Sequence, residues 1–310
     1  MLHWLAKTDG EGGAFLKRNR HPSGGNCFVL TTPGGEKLAG GNGSGGAASA
    51  LAEGLAKWKK LPEAQRKALP RGESLSPPEA SRCTPPPGGL VLRSYIRNLK
   101  RGEGGRLEHI TRDDLKDRKQ YPDWNPIYTE PAHYHVWLTE AEWKSLVPAS
   151  PKKGDRFPVP DGICKRIFRY HLVNGTFGLP GVWRLEDIRS GELTLKVETT
   201  SPTVRLRLEG SARLATDANL DKAPRGYDVR LTGVLEYDSD RKAFSRFDVV
   251  AVGDYWGGDY EGGRFKRPGR TPLGIAFELA RGTSAVDLAP PLVHMDRKEQ
   301  HDRYFAAERP

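Results

Sequence analysis

One feature constrains this chain more than any other: several separate runs within residues 193–279 in which apolar side chains recur at every second position. Leu193, Leu195 and Val197 alternate with Thr194, Lys196 and Glu198, and Val204, Leu206 and Leu208 with Arg205, Arg207 and Glu209. A longer run sets Tyr227, Val229, Leu231, Gly233, Leu235 and Tyr237 against Asp228, Arg230, Thr232, Val234 and Glu236. Successive side chains of a strand point to opposite faces, so a period of two with one apolar set means strands buried on one face only. Asp238-Ser239-Asp240-Arg241 supplies a turn, Phe244 to Val252 a returning strand, and Leu273, Ile275, Phe277 and Leu279 one more. Short connections between such strands predict an antiparallel unit over about residues 190–281, a meander or partial barrel.

Upstream the pattern is mixed. Leu90 to Ile96 reads as a strand, and residues 97–132 as polar and irregular. Thr139-Glu140-Ala141-Glu142 has the form of a capping box, opening a short helix that ends near Pro148 with Trp143 and Leu146 or Val147 facing inward. A second helix is expected from Asp161 to His171, capped by Asp161, with Ile163, Ile167 and Tyr170 on one face. Near the N-terminus, Cys27 to Thr32 reads as a strand, Pro33-Gly34-Gly35 as a turn and Glu36 to Gly40 as the return. A glycine-rich connection, Gly40 to Gly46, precedes a helix over Ala47 to Leu61 whose inward face is expected to carry Leu51, Leu55 and Trp58. Gly41 to Gly46 matches G-x-G-x-x-G literally, but inside a glycine run with no acidic partner downstream this spacing reads as a flexible connection rather than a nucleotide loop.

The chain holds 36 Gly and 24 Pro in 310 residues, about one residue in five against a usual share of about 12%, so turns are numerous and long helices few. Pro70, Pro77, Pro78, Pro85, Pro86 and Pro87 concentrate in one polar stretch that reads as a linker. The expected organisation is therefore a small segment (1–69), a proline-rich linker (70–89), a β-rich domain with short helices (90–282) and a polar tail (283–310). The fold class is α+β.

Two stretches resemble known families. Residues 27–61, with their strand, turn, strand and closing amphipathic helix, resemble the second half of a thioredoxin-like domain. The segments Trp137-Leu138-Thr139-Glu140-Ala141-Glu142-Trp143, Gly226-Tyr227 and Phe247 to Gly253 are similar to a region of uncharacterised, predicted exported proteins of environmental bacteria, a likeness covering about residues 88–282. The first resemblance implies a fold but no catalytic residue, because the C-x-x-C of redox-active members is absent from the sequence given. The second implies no activity.

The net charge of +10 is dispersed. Opposite charges interleave along both halves, and even Lys165, Arg166 and Arg169 make only a short cluster, so nucleic acid is not the expected partner. Cys27, Cys83 and Cys164 make no C-x-x-C, so neither a dithiol motif nor a cysteine zinc site is expected. Cys164 and His171 lie two helical turns apart, about 10 Å, too far for a nucleophile–base hydrogen bond. No stretch is long and apolar enough to span a membrane. The first residues do not read as a secretory signal, so the compartment is periplasmic or extracellular if a signal lies upstream and cytoplasmic otherwise.

Two candidate sites remain. His133-Tyr134-His135 would point both imidazoles to one face of a strand, as a divalent metal site requires, with His109, His171, Glu130 or Glu140 as further ligands. Tyr255, Trp256, Asp259 and Tyr260 fall in a glycine-rich loop, 254–265, where the rings would stack a small molecule, glycan or peptide. Asp254 and Glu261 add carboxylates to the same loop. The leading expectation is a non-catalytic binding or accessory module acting in the cell envelope, with that loop as its contact surface. The alternatives are a metal-dependent enzyme centred on His133 and His135, and a truncated thioredoxin-like redox protein.

Overall fold

The computed structural model describes residues 27–32, 36–42, 47–67, 84–117, 119, 121, 129–176, 181–258, 269–280, 287, 289–291 and 298–307. The chain divides into two compact units, Met1–Arg82 and Cys83–Pro310. No described helix is long and apolar enough to cross a membrane.

In the first unit β1 (Cys27–Thr31) pairs antiparallel with β2 (Lys37–Asn42), Leu30 standing opposite Ala39. Thr32 closes the hairpin: its backbone N–H donates to the Glu36 carbonyl at 2.9 Å and its hydroxyl accepts from the Glu36 N–H at 3.1 Å. Helix α1 (Ala47–Lys60) follows, then a short α2 (Glu63–Arg66). The buried positions of α1 are Ala50 and Gly54, four residues apart, not the expected leucines; Leu51 and Leu55 are each 50% exposed. A Cβ at Gly54 would stand 2.7 Å from Leu30 Cδ1 and 3.5 Å from the Ala39 Cβ. The helix therefore meets the hairpin along its small residues, and close approach of the backbones, rather than leucine packing, selects the buried stripe. The expected loop Gly40–Gly46 begins inside β2, and its residues 43–46 lie outside the described residues, as does most of the linker.

The second unit is mostly β. Its large sheet is the meander that the alternation predicts, β7 (Ile188–Thr199), β8 (Val204–Ala215), β9 (Gly226–Asp238), β10 (Ala243–Trp256) and β11 (Thr271–Leu279), each antiparallel to the next. Beyond β11 lies β3 (Leu90–Arg101), flanked in turn by β4 (Leu107–His109) and β5 (Ala132–Leu138), and β6 (Arg156–Pro158) borders β7 at the other end. The sheet is open and does not close into a barrel. β9 and β10 approach closely at one point: a Cβ at Gly233 would lie 2.5 Å from the Asp248 carbonyl, which explains a glycine in the middle of an apolar alternation.

One face of the sheet forms the core. Leu195, Leu206, Leu214, Tyr227, Leu235, Ala251 and Leu273 are wholly buried there, packed against helices α3 (Glu140–Ser145) and α4 (Asp161–Arg166). The capping box at α3 forms as expected: Thr139 Oγ1 accepts from the Glu142 N–H at 3.3 Å while Glu142 Oε2 accepts from the Thr139 N–H at 2.8 Å. Trp143 and Leu146 are the buried residues. β3 runs past Ile96 to Arg101, where irregular chain was expected, because Asn98 opposite Leu273 is buried and donates to Thr176 Oγ1 at 2.8 Å.

The second helix departs from expectation twice. Pro160 is the N-cap and Asp161 the first helical residue, pairing with Lys165 at 2.6 Å instead of capping. From Ile167 to His171 the helix widens into a π turn, which rotates the face that follows. Ile163 and Ile167 stay in the main core, while Tyr170 joins a separate cluster with Trp137 and Tyr304.

That cluster involves the expected polar tail, which docks. Helix α5 (Lys298–Phe305) buries Tyr304, and Ala307 beyond it, completely. Arg166 donates to the Tyr304 carbonyl at 2.9 Å and the Phe305 carbonyl at 3.1 Å, and Arg169 to the Ala307 carbonyl at 2.7 Å. The end of α5 leaves carbonyls without intrahelical partners and carries the negative end of the helix dipole; two guanidinium groups satisfy both demands. Arg166 is itself held by Glu142 through two contacts of 2.6 Å, so the capping-box glutamate also anchors the tail.

Candidate functional site

Two rings of the expected aromatic contact loop, Tyr255 and Trp256, are turned into the protein. Tyr255 ends an inward-facing series on β10 and is wholly buried, its hydroxyl accepting from Arg225 Nε at 2.8 Å and its ring 5.5 Å from that of Tyr227. Trp256, on the opposite face, is buried against Ala215 and Ala223, donates from Nε1 to the Ala223 carbonyl at 2.9 Å, and has the Arg270 guanidinium 4.2 Å from its ring centroid. Both rings are structural, because β10 continues three residues further in register with β9, to Trp256, than a loop beginning at 254 would allow. Asp259 and Tyr260 lie outside the described residues.

His133 and His135 do share a face, the outer face of β5, where they stand opposite Tyr95 and Arg93 of β3. His133 is exposed, its ring set edge-on to Tyr95 with centroids 4.9 Å apart. His135 is buried, its Nε2 3.9 Å from Asp287 Oδ1. Burial holds the His135 pKa below the ordinary imidazole value, and Arg93 and His133 push the same way against the pull of Asp287. Both Asp287 oxygens are already engaged by Arg93, at 2.7 and 3.0 Å, a bidentate pair. Glu278, opposite Arg93 on β11, takes the Tyr95 hydroxyl. Among the described residues no three His, Cys, Asp or Glu side chains converge on a point where a metal ion would sit. His109 is exposed on β4, and His171 is buried, its Nε2 2.8 Å from the Tyr304 hydroxyl. On the outer face Arg93 and Asp287 satisfy one another, as do Tyr95 and Glu278, while among the described residues His135 has only its 3.9 Å approach to Asp287. Cys164 is a free, buried thiol against the Val159 carbonyl at 3.5 Å, and burial pushes its pKa up to about 12, so it is not a nucleophile at neutral pH.

The sheet's core holds a cavity of about 40 Å³ lined only by apolar side chains, among them Leu92, Leu138, Ile163 and Phe247. It offers no polar partner to a water and reads as a dry packing void.

A larger concavity, which sequence patterning did not reveal, opens where α3 meets the turn between β9 and β10. This groove has a volume of about 390 Å³, within the size range of small-molecule sites. Its walls are Trp143 from α3, Val147, Pro148 and Pro151 from the segment after it, Val204 from β8 and Tyr237 from β9; Glu140, Lys144, Ser239 and Lys242 supply the polar rim. The aromatic wall is rigid. Trp143 donates from Nε1 to the Gly88 carbonyl at 2.9 Å, and both Trp143 and Tyr237 pack edge-on against Phe244, with centroids 6.0 and 5.6 Å away. At the rim Lys144 pairs with Glu140 one turn earlier and lies 5.6 Å from the Trp143 ring centroid. Lys242 makes no ion pair among the described residues and has φ of +51°. The left-handed region is one that non-glycine residues enter at a cost of about 1–2 kcal/mol.

No protein-family model, curated protein or solved structure matches the chain.

Proposed function

We propose that the chain is a binding module and that its ligand, of small-molecule size, occupies the groove between α3 and the β9–β10 turn. The observation that carries this reading is the groove itself, a volume of about 390 Å³ that combines an apolar aromatic wall with a charged rim. Such sites are mostly apolar, with a few polar groups that orient the ligand. Its walls are preformed by contacts that do not involve the ligand, the Trp143–Gly88 hydrogen bond and the packing on Phe244, so little ordering cost opposes binding. This reading puts the contact surface at the groove; of the loop 254–265, Tyr255 and Trp256 are core residues and 259–265 lie outside the described residues.

The test is a fragment screen by protein-observed NMR on the full chain, repeated on Ala149→Trp. Ala149 is exposed at the groove wall, so the indole fills the groove without disturbing the core. Hits that shift the Trp143 indole N–H and vanish in Ala149→Trp support the reading; hits confined elsewhere and unaffected by the plug refute it.

A further inference from the structure

Resting on that reading of the groove, we infer that it selects an organic anion with a flat apolar body, the anionic group meeting Lys242 and the ring lying against Trp143, Tyr237 and the prolines.

The charge argument comes from the rim. Of its three ionic side chains, Glu140 and Lys144 neutralise one another across one helical turn. That leaves the Lys242 ammonium as the rim charge with no opposite partner among the described residues. Neither carboxylate of the hairpin turn, Asp238 or Asp240, lines the groove, and Asp238 is occupied: it accepts the backbone N–H groups of Asp240 and Arg241, each at 3.0 Å, and lies 3.6 Å from the Arg241 guanidinium. The rim therefore presents one net positive charge, with the Ser239 hydroxyl beside it as a further donor.

The second observation is independent of charge. Lys242 holds a left-handed backbone conformation that glycine adopts without penalty and a lysine does not. A residue kept in a sparsely populated conformation points to a role for its side chain. Here the φ of +51° falls at the turn that borders the groove, and lysine stands where glycine would make the turn more stable.

The body of the ligand follows from the walls. Trp143 and Tyr237 are fixed edge-on to Phe244, and Pro148, Pro151 and Val204 complete a rigid apolar surface. Rings are the groups that such a surface takes with least loss of conformational entropy.

The experiment measures matched pairs by isothermal titration with the full chain: phenylacetate against phenylacetamide, and benzyl phosphate against benzyl alcohol. The parent, Lys242→Gly, Lys242→Arg and Ala149→Trp are compared. The expected result is that each anion binds about three- to tenfold more tightly than its neutral partner, the margin of a single partly exposed charge contact. Lys242→Gly removes that margin while raising the melting temperature by about 2–4 °C, as relief of backbone strain requires. Lys242→Arg keeps the margin, and Ala149→Trp blocks all four compounds. Equal affinity within each pair, with Ala149→Trp still blocking, overturns the anion selectivity and leaves the groove as a binding site. Binding by none of the four, or binding indifferent to the plug, overturns the anion selectivity and the groove reading together.

Discussion

Replacing Tyr304 by phenylalanine removes one oxygen and tests whether the C-terminal helix belongs to the folded domain. That hydroxyl accepts the Trp137 backbone N–H at 3.1 Å and lies 2.8 Å from His171 Nε2. Trp137, His171 and Tyr304 are all buried, so no water replaces the lost partner. Stranding a buried polar group costs about 1–2 kcal/mol, and two groups are stranded, so Tyr304→Phe is expected to destabilise the fold by about 2–4 kcal/mol while preserving its packing. Tyr304→Ala also removes the ring that packs against Tyr170 at 5.3 Å and lies 5.1 Å below the Arg166 guanidinium, adding about 3–5 kcal/mol of lost burial and cavity. Urea unfolding of the full chain followed by near-UV circular dichroism gives the first number. Limited trypsinolysis at Arg303, read by mass, reports whether α5 has left the domain. A Tyr304→Phe variant within about 0.5 kcal/mol of the parent, the range of an ordinary surface change, would refute the burial argument. So would an alanine variant whose tail is no more cleavable than the parent's.

Three further perturbations follow from the same contacts. Burial, assisted by the Arg166 charge, pushes the His171 pKa down to about 3; the unfolded chain therefore takes up a proton near pH 6.5 that the fold refuses. Stability is full above that pH and falls by about 1.4 kcal/mol per pH unit below it, and His171→Gln should flatten the slope between pH 6.5 and 5 in urea melts; an unchanged slope counts against a neutral buried imidazole. For Glu142, burial alone would raise the pKa, but the hydrogen bond and charge of Arg166 outweigh it and hold the carboxylate low. Arg166→Met strands that carboxylate and the carbonyls of Tyr304 and Phe305, with an expected loss of about 3–5 kcal/mol, recovered in part by pairing it with Glu142→Leu; a double variant no better than the single one sinks the coupling. Gly233→Ala forces a Cβ against the Asp248 carbonyl 2.5 Å away and is expected to cost about 1–3 kcal/mol by overpacking, checked by its urea midpoint.

The sequence alone determined what depends on neighbours along the chain. Period-two alternation located β7 to β11 and their apolar face because that pattern is a property of each strand by itself, whatever it pairs with. The capping box at Thr139 and Glu142 was legible for the same reason: donor and acceptor lie three residues apart. The tertiary structure decided everything that depends on what comes to rest beside an element. The leucines were the expected stripe of α1, but the close approach of Gly54 to Leu30 buried the small residues and left Leu51 and Leu55 exposed. Tyr255 and Trp256 have a loop-like composition around them, yet the register of β10 with β9 carries both into the core. His133 and His135 were correctly placed on one face, but Asp287, more than 150 residues away, reaches that face already committed to Arg93. The polar tail owes its docking to Arg166 and Arg169, whose partners are backbone carbonyls that no side-chain pattern records. The groove is the extreme case. Its walls come from residues near 143, 204 and 237–242, each unremarkable in its own segment, and a concavity exists only once the sheet has brought them together.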